Sequence, residues 1–509
     1  MCLIEGGKMN VILRMCGYCF VLIYFLTACQ PKNSPDKVMN ETVASHSDHN
    51  SYANYHPFPD GYGYMNDLRG LQEATNQGNT QVIREHAWGL WAGIMQPDKT
   101  TGWPIWYSWP NTKGAFALSP KQLADKIYSE NGDVKNKTGS KKGETLRAVN
   151  EQNLNSPHAP NVNTPAPIYN VPQAVVKAFP EAICKNSSGT NTVCDGQHFV
   201  NNGDIMIPTE SLSMEAMKDI RSQQLYLQST LDAAHAAGQS MLKVTNRFIV
   251  TKHMYWPVKA NGVTVIPVWK DNFPDSYTGY AGYELWDTLV ALEPSNRKSI
   301  GTYVQGEFLY QVLNHDGTKT LPTVKGSAKV YDINDMYHHQ VTQADWDSFD
   351  QADKAIITAA SYWANNQPFE VGDYLVSIAM HVNTKELESW TLQSVWWSDT
   401  PNQGIYAANR PNLPQAEGPW AHYLLTDSYA VPAVKGQVKK AVNPYIEGVI
   451  HPTATSCRNC HVRAGWPQNK ASYQNVGCPD LLADLTPQSK CLQGITFSDY
   501  LWIIPDRAQ

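Results

Sequence analysis

Apolar residues in TQVIREHAWGLWAGIM recur at helical spacing, so residues 81–95 are expected to form a helix that Pro97 ends. Ser119 followed by Pro120 reads as an N-cap with proline at the first helical position, opening a short helix to about Ser129. A longer helix is expected over 213–237, closing at Gly238, with Glu215 in its first turn where a negative charge suits the dipole. Beyond it the apolar period drops to two. RFIVTKHMYWPVKANGVTVIPVWK sets Asn261-Gly262 between two β-branched runs, which predicts a hairpin, and Pro257 and Pro267 place its strands at an edge or bulge. TYVQGEFLYQVLNHDGTKTLPTV predicts a second hairpin at Asp316-Gly317. ADWDSFDQADKAIITAASYWA then reads as one helix, and DYLVSIAMHV and SWTLQSVWW as strands. Residues 131–172 and 401–450, rich in Asn, Gly and Pro, read as surface connection and irregular chain.

These elements sum to an α+β fold, a β-rich body of several parts with helices and a separate C-terminal segment. Roughly 450 ordered residues exceed what one core usually organises. The expected parts are a helical and irregular stretch over 57–172, a β-rich body over 173–440, and a terminal segment over 441–509.

The N-terminus adds a destination. A basic residue, Lys8 or Arg14, precedes an apolar run from Met15 to Leu26, too short for a spanning helix of about 20 residues and laid out like a secretory signal. Leu26-Thr27-Ala28-Cys29 resembles the bacterial lipobox. That resemblance implies cleavage after residue 28, lipidation of Cys29, and an acyl anchor in the bilayer at the periplasm or outer membrane. Residues 29–56, polar with few aliphatics, read as a flexible tether. Loss of residues 1–28 removes Lys8, Arg14 and Glu5 from 40 basic and 46 acidic residues, leaving 38 against 45. A net charge of −7 gives no basic surplus for nucleic acid.

In an oxidising compartment the remaining cysteines are expected to pair or to take a cofactor. Cys184, Cys194, Cys457, Cys460, Cys478 and Cys491 remain. The simplest pairing outside the Cys-x-x-Cys is local, Cys184 with Cys194 and Cys478 with Cys491. The segment HPTATSCRNCHVRAGWP, residues 451–467, holds Cys457, Cys460 and His461 in a spacing used for covalent haem, zinc or dithiol exchange. Zinc would need Cys478 and Cys491 as further ligands, and twelve residues lie between those two, so they are not a close pair. A thioredoxin-like dithiol expects a βαβ setting that is missing here. Haem c requires two thioether cysteines and an adjacent histidine to reach one porphyrin, and it is attached in exported bacterial proteins.

With these five residues and an export signal, the segment resembles the c-type cytochromes. The resemblance implies one covalent haem c on Cys457 and Cys460, with His461 as proximal iron ligand. The pattern then departs from the small cytochrome c domain, because only 48 residues follow His461 and none is Met or His. A sixth ligand must come from upstream, so the haem is expected to be built into the body. Met380 is the first candidate, with His451, His381 and His422 as alternatives, and an open iron as the remaining option. Neighbours on a strand face opposite ways, so Met380 and His381 cannot both serve. Arg463 is a candidate partner for a haem propionate, and Trp466 and Trp502 are candidates to pack on the porphyrin. His338-His339 reads as a non-chelating pair.

The body shows no phosphate loop, His-Glu-x-x-His helix or nucleophile elbow. Its 16 Trp and 26 Tyr are scattered as packing residues rather than as a sugar platform. Three functions stay open. One is electron transfer with a periplasmic or membrane redox partner. Another is an oxidoreductase whose body binds substrate. The third is a non-redox binding lipoprotein with structural cysteines.

Overall fold

Ten strands form two main sheets in the computed structural model. They are β1 Ile207–Leu212, β2 Ile249–Val258, β3 Thr264–Val268, β4 Thr288–Leu292, β5 Tyr303–Leu309, β6 Thr323–Tyr331, β7 His338–Gln340, β8 Tyr374–Thr384, β9 Thr391–Trp397 and β10 Tyr423–Asp427. The structure describes residues 55–509 except 120, 123–167, 170, 186–190, 195–197, 200–205, 273–276, 278, 280, 310–311, 314–318, 321–322, 415, 417, 448–451 and 472–476. The expected signal, Cys29, nearly all of the tether and of the 131–172 connection, and His451 lie outside the described residues. The helix expected from Ser119 is described only at Lys121 and Gln122.

The larger sheet is antiparallel, in the order β10-β9-β8-β2-β1, with β7 sharing one edge of β8 with β9. All seven positions of β9 are buried, which explains why SWTLQSVWW reads as continuously apolar rather than alternating. The smaller sheet runs β3-β4-β6-β5, antiparallel except for the parallel pair β4–β6.

The hairpin expected at Asn261-Gly262 does not form. Gly262 takes the left-handed turn (φ 88°), yet β2 and β3 enter different sheets. Over Val250–Tyr255 both edges of β2 are taken, by β8 and β1, and β3 pairs with β4. The prolines sit as expected: Pro267 is on the edge strand β3, and Pro257 lies past the last β2 residue that β1 covers. Around Asp316-Gly317, Val312–Leu313 pairs with Lys319–Thr320, and β5 pairs antiparallel with β6 beyond them.

Helices α1 Leu68–Gln77 and α2 Thr80–Ile94 are capped by Asp67 and Asn79. The long helix expected over 213–237 is two, α3 Met214–Ser222 and α4 Gln228–Ala236. Gln224 adopts a positive φ of 55° between them, and the break turns Leu225 and Tyr226 into the core. The helix expected over 344–364 is likewise two, α5 Gln343–Ser348 and α6 Gln351–Asn365. Each has its own capping box, Thr342 with Asp345 and Asp350 with Asp353, so the second cap restarts the helix. Among the described residues no helix is long and apolar enough to cross a membrane.

The fold is α+β, and every described residue belongs to one compact unit. Its main hydrophobic cluster joins Trp88 and Trp91 of α2 to Trp396 and Trp397 of β9 and to Tyr445 and Ile446, so the boundary at 172 does not separate two cores. A second cluster joins Phe248, Trp390 and Leu392 to Val462, Trp466, Phe497 and Ile504. The terminal segment is thereby packed onto one end of the larger sheet. It has no core to itself.

Candidate functional site

Residues Cys457–His461 form a short helix, α7. Positions i, i+3 and i+4 share a helix face, so Cys457, Cys460 and His461 are presented together. The turn is held from outside. Cys457 N–H donates to Ala441 O at 3.1 Å, and the Asn459 amide donates to Ala483 O at 2.7 Å. Arg463, fully buried, donates through Nε and Nη2 to Asn459 Oδ1. Arg458 pairs with Asp484 at 2.8 Å. The disulfide Cys478–Cys491 closes the loop carrying Leu481, and Cys184 is bonded to Cys194 in a small hairpin elsewhere.

His461 Nδ1 lies 2.7 Å from the carbonyl oxygen of Tyr500. A carbonyl only accepts, so Nδ1 carries the proton and Nε2 keeps its lone pair. Burial lowers the imidazole's proton affinity and keeps the ring neutral, the form that ligates a metal. The carbonyl is aimed by two consecutive residues in the left-handed region, Asp499 (φ 51°) and Tyr500 (φ 66°). Asp499 fixes this turn by pairing with Lys385 at 2.6 Å and accepting from Trp390 Nε1 at 3.3 Å.

One cavity gathers the trio. It is small, about 40 Å³, and opens to solvent; Cys457, Cys460 and His461 line it with His381, Asn383, Glu447, Thr455 and Leu481. His381 and Asn383 are two apart on β8 and so share its cavity face. A closed ring of hydrogen bonds stands behind them. His381 Nδ1 meets Ser394 Oγ at 2.7 Å and its Nε2 meets Glu447 Oε1 at 2.5 Å. Asn443 donates through its amide to Ser394 Oγ at 2.6 Å and through its backbone N–H to Glu447 Oε2 at 2.8 Å.

The two thiols of α7 are not bonded to each other. Burial pushes Cys457 well above the usual thiol range and Cys460 up to about 12. A dithiol exchanger needs a lowered thiol pKa, so this environment does not suit that chemistry. The four-cysteine zinc set is dismantled because Cys478 and Cys491 are spent on each other. Among the described residues no three His, Cys, Asp or Glu side chains are placed to hold a bare ion. A porphyrin brings four nitrogen ligands of its own and needs one imidazole and two thiols. The side chains present fit that group.

The sixth-ligand expectation shifts. Met380 is fully buried in the main cluster and does not line the cavity, because alternation along β8 turns it away from His381. His381 lines the cavity, but both of its nitrogens are engaged. His422 approaches Asp335 at 3.8 Å and is not a cavity residue. Arg463 is committed to Asn459 rather than to the cavity lining. Trp466 donates to Asp232 at 2.8 Å within the second cluster, whereas Trp502 lies beside Cys460. His338 and His339 bond separately, to Met336 O and Asp345. Asn383, Glu447 and Thr455 were not singled out from the sequence. Only their convergence from β8 and two loops marks them. No family model, curated protein or solved structure matches this chain.

Proposed function

We propose that the chain is an exported mono-haem c-type cytochrome that works in electron transfer. The observation that carries this is the cavity in which two unpaired thiols and a neutral imidazole, tautomer-fixed by Tyr500 O, converge. Cys457 and Cys460 would hold the haem through thioether bonds, and His461 Nε2 would take the iron. When bound, the haem supplies reversible one-electron chemistry. The carbonyl of Tyr500 keeps the imidazole aimed and raises its basicity, as outer partners of metal-bound histidine do. Cys29 anchors the protein by lipid on the bacterial periplasmic or outer-membrane side, within reach of a periplasmic or membrane redox partner.

A second reading is an oxidoreductase that reacts at an open iron. It is favoured by the two engaged nitrogens of His381 and the turned-away Met380, which leave neither poised as a sixth ligand. The attachment itself is tested by producing the protein with and without haem-attachment machinery. A denaturation-resistant haem stain is expected only with the machinery. A stain that survives Cys457→Ala with Cys460→Ala contradicts the proposal.

A further inference from the structure

Two basic side chains around α7 are offset by carboxylates. Arg458 pairs with Asp484 at 2.8 Å, and Lys385 pairs with Asp499 at 2.6 Å. Arg463 is not. It is fully buried, and the partners of its guanidinium are all neutral oxygens. Nε and Nη2 donate to Asn459 Oδ1 at 3.0 and 2.9 Å, and Nη2 also reaches the main-chain carbonyl of Asp480 at 3.3 Å. The Asp480 carboxylate is turned elsewhere, its Oδ1 accepting from Leu482 N–H. Nη1 has no partner among the described residues. Carbonyl dipoles solvate a guanidinium without cancelling its charge, so the fold carries a desolvated cation at a cost in stability. Burial lowers the pKa of Arg463 to about 10, which leaves it charged at neutral pH.

This charge belongs to the attachment turn itself. Its anchor Asn459 precedes Cys460 directly, and Arg463 N–H donates to Cys460 O at 3.2 Å. We propose that Arg463 raises the reduction potential of the haem held by Cys457, Cys460 and His461, acting as a fixed buried cation that no carboxylate neutralises. This rests on the haem assignment above. Reduction takes one electron from the redox partner and lowers the charge of the iron site by one, with no bond broken. A nearby positive charge favours that state, the more so where the dielectric is low. A Coulomb field acts in every direction, so the sign of the effect does not depend on how the porphyrin plane is turned. The raised potential suits the protein to accept electrons from a more reducing partner.

The test uses the intact haem-loaded protein, with covalent haem content measured first and the midpoint potential then read by spectroelectrochemical titration at neutral pH. Arg463→Met removes the charge and keeps an unbranched side chain. Asn459→Asp keeps the guanidinium and gives it a carboxylate at the oxygen it already bonds, where the pair stays ionised. Each is expected to lower the midpoint by about 59 mV, an about tenfold fall in the ferrous-to-ferric ratio at fixed ambient potential for a one-electron couple. An unchanged or raised midpoint in either variant that retains covalent haem overturns the inference and leaves the haem assignment standing. If one variant fails to fold or to load, the other decides. Absence of covalent haem from the native loaded preparation overturns the assignment, and the inference with it.

Discussion

The ring of His461 and the backbone of Tyr500 are joined by a 2.7 Å hydrogen bond across 39 residues of chain. It fixes which nitrogen of the imidazole faces the cavity. The turn that offers the Tyr500 carbonyl depends on Asp499, which is 2% exposed and pairs with Lys385. Asp499→Ala leaves that lysine without its partner, and breaking a buried pair costs about 3 kcal/mol. Guanidinium denaturation is expected to show a lower midpoint with unchanged slope, together with reduced haem retention.

The disulfide Cys478–Cys491 closes a loop of 13 residues' separation beside the cavity. Loop-closure entropy for that length is about 3 kcal/mol. Cys478→Ala with Cys491→Ala is expected to lose that much in chemical denaturation. Cys184→Ala with Cys194→Ala, remote from the cavity residues, is expected to leave haem content unchanged.

Acid stability should follow His253. Its ring stacks on Trp106 at 3.4 Å, Nε2 meets Thr251 Oγ1 at 2.9 Å, and Nδ1 has no partner. Burial, then the nearby His381, holds its pKa well below the ordinary 6.5. The unfolded chain therefore binds this proton first as pH falls. Stability is fully present above about 6.5 and declines below it, by about 1.4 kcal/mol per pH unit for one proton. His253→Phe keeps the stacking and is expected to remove that increment of slope in urea unfolding measured from pH 7 to 5.

Arg84 ties α2 to the larger sheet. Its guanidinium meets Asp427 at 2.9 Å and the carbonyls of Tyr406, Ala408 and Leu425, almost wholly buried. Arg84→Ala is expected to cost about 3–5 kcal/mol in equilibrium unfolding. Arg84→Lys should recover only part of this, because an ammonium cannot match the planar set of donors.

Local chemistry made much of this molecule legible in the sequence. The spaced apolar residues specify α2, though its cap Asn79 was not read from the sequence, and β8 and β9 follow from their own apolar runs. The Asn261-Gly262 turn was visible, but its partners were not, since sheet membership depends on which edges other strands have taken. The double caps at Thr342 and Asp350 were present in the sequence and were overridden by the apolar periodicity that runs across them. At the site, Cys457, Cys460 and His461 could be named because their chemistry is compressed into five residues. Asn383, Glu447 and Thr455 could not. They come from a strand and two loops, and a lone Asn, Glu or Thr carries no spacing signal. Strand phase limits Met380 and His381 to opposite faces, and the structure puts His381 on the cavity side with both ring nitrogens engaged.

The most direct measurement is mass spectrometry of proteolytic peptides from protein made with haem-attachment machinery in an exporting host. The account predicts that the peptide spanning 457–461 carries the mass of one haem on its two cysteines, with Cys478 and Cys491 recovered as a separate disulfide-linked pair. Recovery of Cys457 joined to Cys460, or of both as free thiols in folded protein, contradicts it.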